Sequence, residues 1–154
     1  MNWTQNSSLF ERNFGVIMLA LSILLVNEKS ALAQTKTTTL KCSFSGGVFT
    51  DFDTGKPRTK TSQFPDLIFD QIQSNSDRAR LIGNAGATDV VVVRGVETTN
   101  FIETTTSGNL NTTAVYRIEK SGSSAGVPVV HSRHVASDGL IPSQYWGICR
   151  ELTN

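Results

Sequence analysis

Residues 143–150 read SQYWGICR, and this stretch near the end of the chain indicates how the protein folds. In a β-strand these residues fall on two faces, with Ser143, Tyr145, Gly147 and Cys149 on one and Gln144, Trp146, Ile148 and Arg150 on the other. The other cysteine, Cys42, lies in an alternating stretch, TTTLKCSF at 37–44. A disulfide between them requires Cα atoms within about 7 Å of each other. The sequence therefore predicts that the first and last strands lie close together.

The chain between these two stretches has the pattern of six further strands and a short extra one. β-Branched Thr, Val and Ile are frequent and favour strands. Short connectors rich in Gly, Asn, Asp and Ser separate the alternating runs, so we expect neighbouring strands to pair antiparallel as a meander. The longest connector, 54–65, is predicted to be a solvated loop. The further strands are predicted at 66–73, 78–83, 89–94, 100–106, 112–119 and 127–135, with the extra one at 48–53.

The predicted fold class is an all-β antiparallel meander of about eight strands, with a β-sandwich as the alternative. Proximity of the first and last strands favours closure into a small barrel, which also removes exposed strand edges. By architecture such a chain resembles lipocalin-like and avidin-like barrels. The Gly-x-Trp signature of lipocalins near the first strand is absent. The resemblance is thus one of architecture only. It implies a barrel whose interior is filled by side chains or holds one small ligand.

Residues 1–33 have the features of a secretory signal peptide. The uncharged apolar run at 14–26 is too short to span a membrane, which takes roughly 20 residues. Ala31-Leu32-Ala33 then supplies the small residues of a cleavage site, with Gln34 as the new N-terminus. An uncleaved anchor is the alternative. We expect an exported, periplasmic or extracellular protein with a single β domain at 34–154 and no stable membrane span after cleavage.

The charge balance and the cysteines exclude several classes of function. The chain has 14 Lys and Arg against 13 Asp and Glu, without the basic excess of a nucleic-acid binder. In an exported chain, Cys42 and Cys149 are predicted to form a disulfide, for which the chain-entropy model gives about 4–5 kcal/mol. No C-x-x-C motif is present. We therefore expect no nucleic-acid partner, no metal site and no cofactor.

The predicted strand 127–135 carries the polar residues that most need an explanation. Three valines of VPVVHSRHV share one face with His131 and Arg133. If the valine-rich face is the core, both polar side chains point inward, and a buried Arg needs a partner. Glu103 and Asp70 are the candidate partners. The opposite parity would leave both side chains in solvent.

Two hypotheses follow for this interior. The first is a structural salt-bridge network inside a filled barrel, as in a structural or envelope protein. The second is a site for an anionic or hydrogen-bonding small molecule, formed by His131, Arg133 and Tyr116. We favour a non-catalytic binding role, for a small molecule or for a protein partner.

The last strand also offers a candidate interaction surface. If Cys149 faces the core, Trp146 and Ile148 lie on the outer face, where exposed Trp beside Ile suits a protein partner. The alternatives are that the 54–65 connector covers this face, or that the disulfide faces outward and Trp146 fills the core.

Catalytic and metal motifs are sparse. His131-x-x-His134 places its two imidazoles on opposite faces of a strand, so they cannot share one ion without a bulge. A hydrolase that uses His131 and His134 is kept as the weaker alternative function. Asn111-Thr112-Thr113 matches a glycosylation sequon, which matters only in a eukaryotic host.

Three segments resemble parts of small exported bacterial β proteins to which no activity is attached. They are NFIETTTSGN at 100–109, VVHSRH at 129–134 and SQYWGIC at 143–149. The resemblance implies an exported β protein and transfers no catalytic residue.

Overall fold

A computed structural model of the protein describes residues 36–52, 55–136 and 139–153, which form nine β-strands and one short 3-10 helix. The predicted signal peptide, 1–33, lies outside the described residues. No helix in the described ranges has the length and apolar character needed to cross a membrane. The strands are β1 (Thr37–Asp51), β2 (Arg58–Ser62), β3 (Leu67–Gln73), β4 (Arg78–Gly83), β5 (Gly86–Arg94), β6 (Thr98–Thr104), β7 (Leu110–Tyr116), β8 (Val127–Ala136) and β9 (Leu140–Glu151), and the 3-10 helix is Ile118–Lys120.

Eight of these strands form a closed antiparallel barrel, and β2 is an addition to it. From β3 to β9 each strand pairs with the next along the chain, and β1 pairs with both β3 and β9. The prediction of an all-β barrel built as a meander is therefore confirmed, and the structure is not the alternative β-sandwich. The barrel closes at β1, because one edge of this strand pairs with β3 and the other pairs with β9.

The start of the chain differs from the prediction in two ways. The stretch 48–53 is not a separate strand, because β1 continues through a bulge near Ser45 as far as Asp51. The 54–65 connector is not only a loop, because it contains β2. The lower part of β1 pairs with β3, whereas residues 47–51 extend beyond the start of β3. The strand β2 pairs with residues 47–51 of β1 and supplies hydrogen-bond partners to an edge that would otherwise be open.

The disulfide lies at the seam where β1 meets β9. Cys42 and Cys149 are directly opposite each other, are bonded, and have Cα atoms 3.9 Å apart. The predicted disulfide is thus present in the structure. Two residues away, Gly147 lies against the backbone of β1, where an added Cβ would be 2.0 Å from the carbonyl oxygen of Ser43. Only glycine permits this close approach of the two strands.

Alternation along each strand places an apolar core inside the barrel. The rings of Phe69 and Phe101 stack near its centre, with centroids 4.2 Å apart. The other fully or nearly fully buried core side chains include Leu40, Cys42, Val90, Val115, Val129 and Cys149.

The predicted strand 112–119 ends early, because Arg117 adopts a left-handed conformation and leads into the 3-10 helix.

Candidate functional site

The candidate site lies at one end of the barrel. In a meander, successive connections lie at opposite ends, so every second connection lies at the same end. The connections 63–66, 84–85 and 105–109 lie at the same end, which we call the mouth. A cavity of about 340 Å³ opens there and is lined by residues from these connections and from the upper parts of the strands. This volume is within the range of small-molecule sites in proteins.

Strand register places two neighbouring rows of side chains inside the barrel below the mouth. The upper row runs across β6, β7, β8 and β9, and consists of Glu103, Asn111, Arg133 and Ser143. The lower row lies one inward-facing step deeper, and consists of Phe101, Thr113, His131 and Tyr145. Because side chains alternate between the faces of a strand, residues two apart share the interior. Each strand thus contributes one side chain to each row.

His131 is buried in the lower row with one of its ring nitrogens unpartnered. Its Nδ1 lies 2.7 Å from Thr113 Oγ1, whereas its Nε2 has no hydrogen-bond partner among the described protein groups. Only 2% of the residue is exposed. Burial, assisted by the positive charge of Arg133, lowers the pKa of His131 to about 4. The imidazole is therefore neutral at neutral pH.

Asn111 connects the upper row and also keeps an unpartnered atom. Its Nδ2 donates a hydrogen bond to Glu103 Oε2 at 2.6 Å, and its buried Oδ1 has no partner among the described protein groups. Burying a polar oxygen without a hydrogen bond is costly. Because Asn111 and His131 both line the cavity, both unpartnered atoms belong to residues of the same site.

Phe64 covers the lower row from the connection that precedes β3. Its ring centroid lies 4.6 Å from that of His131 and also 4.6 Å from that of Tyr145. The guanidinium of Arg133 lies over the same ring, 5.4 Å from its centroid, at a distance suited to a cation–π contact. Phe64 therefore covers part of the lower row, while His131 still borders the mouth cavity.

The wall of the cavity opposite the upper row is mainly apolar. Pro65 and Leu67 contribute from the start of β3, and Leu81 contributes from β4. Gly83, at the end of β4, leaves additional space, since a Cβ there would meet only a methyl group of Leu67 at 3.6 Å. The cavity thus has one mainly apolar side and one side with opposite charges.

The structure places His131 and Arg133 inside the barrel, as the valine-rich face of β8 predicted, but it changes the expected partners. Asp70 does not pair with Arg133, because it forms an ion pair with Arg80, its cross-strand neighbour. Glu103 bonds to Asn111 instead. Among the described residues, Arg133 has no salt-bridge partner.

Tyr116, in contrast, does not reach the cavity. It is 40% exposed and lies at the far end of β7 from the mouth, with the inward positions of that strand taken by Asn111, Thr113 and Val115. Its parity is opposite to theirs, so its ring is on the outer face. The expectation that Tyr116 joins the interior site does not hold.

Trp146 and Ile148 lie on the outer face, together with other apolar side chains. The exposed fraction of Trp146 is 45%, and Ile148 is half-buried. Cross-strand pairing puts Trp146 in line with Val130 and Ala114, and Ile148 in line with Pro128. By parity, Tyr116 lies on the same outer face of β7 as Ala114. We call this set the outer patch, and its members are Ala114, Tyr116, Pro128, Val130, Trp146 and Ile148.

The two histidines do not form a common site. His131 is buried inside the barrel, and His134 is exposed on the outer face, as their spacing in a strand predicted. In the described part of the chain, no three His, Cys, Asp or Glu side chains converge as metal ligands would.

Sequence reasoning missed Asn111 and Phe64 as site residues. In the sequence, Asn111 stands out only as part of a sequon, yet its side chain is buried and cannot carry a glycan in this fold. The parity it shares with Thr113 and Val115 is the signal that could have found it. Phe64 follows a strand that the sequence did not predict.

A search of protein-family models, curated proteins and solved structures finds no match to this chain.

Proposed function

We propose that this protein binds a small amphipathic molecule in the mouth cavity, without catalysis. One observation carries the proposal: Asn111 Oδ1 and His131 Nε2 are buried, lack a partner among the described protein groups, and belong to residues that line the same cavity. A ligand that hydrogen-bonds to them would offset the cost of their burial. The apolar wall at Leu67 and Leu81 suits the rest of such a molecule.

The same geometry favours binding over hydrolysis. Thr113 and His131 are in contact and could suggest a nucleophile beside a base. A general base works best when its pKa lies near the working pH. The lowered pKa of His131 makes it a weak base at neutral pH, and His134 lies on the other face of the strand. The interior histidine is therefore better suited to hydrogen bonding than to proton transfer.

The proposal can be tested by NMR titration with a defined panel of amino acids, aliphatic and aromatic carboxylates, aliphatic amines and monosaccharides. We expect at least one class to shift the side-chain amide signals of Asn111 and the ring signals of His131. The matched control is Gly83→Leu, which fills the cavity from its apolar side and leaves the polar row unchanged. The same compounds should have no effect on this variant.

Two results would overturn the proposal. One is a panel in which no compound shifts the signals of Asn111 or His131. The other is a set of shifts that persists unchanged in Gly83→Leu, because binding would then occur elsewhere on the protein.

Export of the protein is part of the proposal. The bonded Cys42–Cys149 pair supports it, because stable disulfides persist in oxidising compartments. Intact mass spectrometry of the protein from an exported fraction is expected to give a chain that starts at Gln34 and lacks two hydrogens. A mass that includes residues 1–33 with two free thiols would contradict both expectations.

Binding of a protein partner at the outer patch is the second candidate function. It is favoured by the exposure of Trp146 and Val130 side by side on neighbouring strands. Trp146→Ser should abolish capture of that partner without affecting the mouth cavity. A pull-down from the exported fraction that gives the same proteins with wild type and Trp146→Ser would remove this candidate.

A further inference from the structure

Two opposite charges stand in the upper polar row, and neither has an ion-pair partner in the described ranges. Glu103 on β6 and Arg133 on β8 are both partly buried and line the cavity. The strand between them carries Asn111, so their Cα atoms are two strand spacings apart, roughly 10 Å. A partly buried charge is stabilised most by an opposite charge at hydrogen-bond distance. The cavity thus presents one anionic and one cationic position to whatever it holds.

The donors and acceptors of the upper row determine which ligand group each of these two positions can bind. Glu103 and the unpartnered Oδ1 of Asn111 are both acceptors, at the anionic side of the row. An ammonium group has three N–H donors and no acceptor, so it satisfies both. Arg133 has only donors, arranged in a planar fork that matches a carboxylate. The row is therefore complementary to an ammonium group next to a carboxylate.

We propose that the ligand of the mouth cavity is a small zwitterion with an apolar side group, of the class of an aliphatic or aromatic α-amino acid. The ammonium group binds Glu103 and Asn111, the carboxylate binds Arg133, and the side group packs against Leu67 and Leu81. This inference rests on the proposed binding function and narrows its ligand class. The cavity volume of about 340 Å³, near the lower limit for ligand sites, suits a molecule of this size.

The test uses L-leucine and L-phenylalanine, each with two derivatives that lack one charge. The N-acetyl derivative removes the ammonium group, and the amide removes the carboxylate. Binding to the wild-type protein is measured by calorimetry and by the NMR signals of Asn111. We expect at least one parent amino acid to bind about tenfold or more tightly than both of its derivatives, because each loses a charge-assisted hydrogen bond.

Two variants assign each charge to its residue. Glu103→Gln keeps the size of the side chain and should reduce the preference for the parent over the N-acetyl derivative to nearly none. Arg133→Gln should do the same for the preference over the amide. Each variant should keep the preference that the other one loses. This crossed pattern is not expected from a merely structural role of either residue.

The outcomes separate this inference from the proposed function. If a derivative binds wild type as tightly as its parent, or if neither parent binds while another compound of the panel fills the cavity, the zwitterion is wrong and cavity binding stands. If no compound binds and the signals of Asn111 never shift, both fail. The wild-type series alone decides the question, even where a variant does not fold.

Discussion

Thr113 Oγ1 and His131 Nδ1 lie 2.7 Å apart in the interior of the barrel, on directly paired positions of β7 and β8. This contact orients the imidazole and leaves Nε2 as the atom without a partner among the described protein groups. Because the ring is buried and Arg133 is close, the neutral form is favoured. The protonation of His131 is therefore linked to the stability of the fold.

The first prediction is that stability falls as the pH decreases from about 7 to about 4. The pKa of His131 is about 4 in the folded protein, against an ordinary value of 6.5. Between these values the unfolded chain binds a proton that the folded chain does not, so the free energy of unfolding decreases as pH falls, by about 3 kcal/mol in total. Below the folded pKa this contribution is lost completely and the slope ends.

Urea unfolding at a series of pH values, together with NMR titration of the ring signals, measures this effect. His131→Gln should remove this part of the pH dependence. His134→Gln is the matched control, since its side chain is exposed on the outer face. A His131 ring that titrates near its ordinary value, or an unchanged slope in His131→Gln, would contradict the prediction.

The second prediction concerns the disulfide at the seam of the barrel. Cys42 and Cys149 are separated by 107 positions, so their bond constrains nearly the whole domain in the unfolded state. The double substitution Cys42→Ala and Cys149→Ala should lower the free energy of unfolding by up to about 4–5 kcal/mol. Reduction of the wild type should have a similar effect in urea unfolding. A double variant as stable as the oxidised wild type would show that the barrel closes without help from the bond.

The third prediction is that Gly147→Ala destabilises the closure of the barrel. The added Cβ would lie 2.0 Å from Ser43 O and 2.7 Å from the Cα of Phe44, so the backbones of β1 and β9 must move apart. Overpacking of this kind costs about 1–3 kcal/mol. Gly139→Ala is the matched control, because a Cβ there meets nothing within 4 Å. Equal midpoints for the two variants in thermal unfolding would mean that the seam adjusts freely.

Much of the barrel could be predicted from the sequence because its determinants are local. Alternation and short turns located eight of the nine strands, and the two cysteines indicated which strands meet. The sequence missed β2, because RTKTS at 58–62 is polar and exposed, without an apolar face. That strand exists because the upper part of β1 offers it an edge, and such an edge is a property of the tertiary structure.

The site was predicted only in part, for a related reason. Parity along β8 correctly put His131 and Arg133 inside. Their neighbours depend on the register between strands, and a single sequence does not specify register where polar residues occur on both faces. Asn111 therefore became visible as a member of the site only once β6, β7 and β8 were aligned, and the same register places Glu103 opposite Asn111 and not opposite Arg133.

The fourth prediction is that Phe64→Ala opens the deep row to water and raises the pKa of His131. The ring of Phe64 covers the imidazole at 4.6 Å and contributes to its burial, which is the main cause of the lowered pKa. Without that ring, hydration of the charged form becomes possible, and the pKa should rise from about 4 towards 6.5. The stability loss should be smaller than the roughly 3–5 kcal/mol typical of a fully buried Phe, because Phe64 is half-buried.

NMR titration of the ring signals of His131 in Phe64→Ala measures this shift directly. Phe52→Ala is the matched control, since Phe52 is 41% exposed and should leave the titration of His131 unchanged. If Phe64→Ala leaves the pKa at about 4 while the barrel stays folded, then the strands and the charge of Arg133 keep the imidazole neutral without Phe64. If the pKa rises, Phe64 is the group that limits the access of water to the imidazole. In that case the stability of Phe64→Ala should also decrease less than that of wild type as the pH falls below 7, because the folded and unfolded states then bind the proton at similar pH.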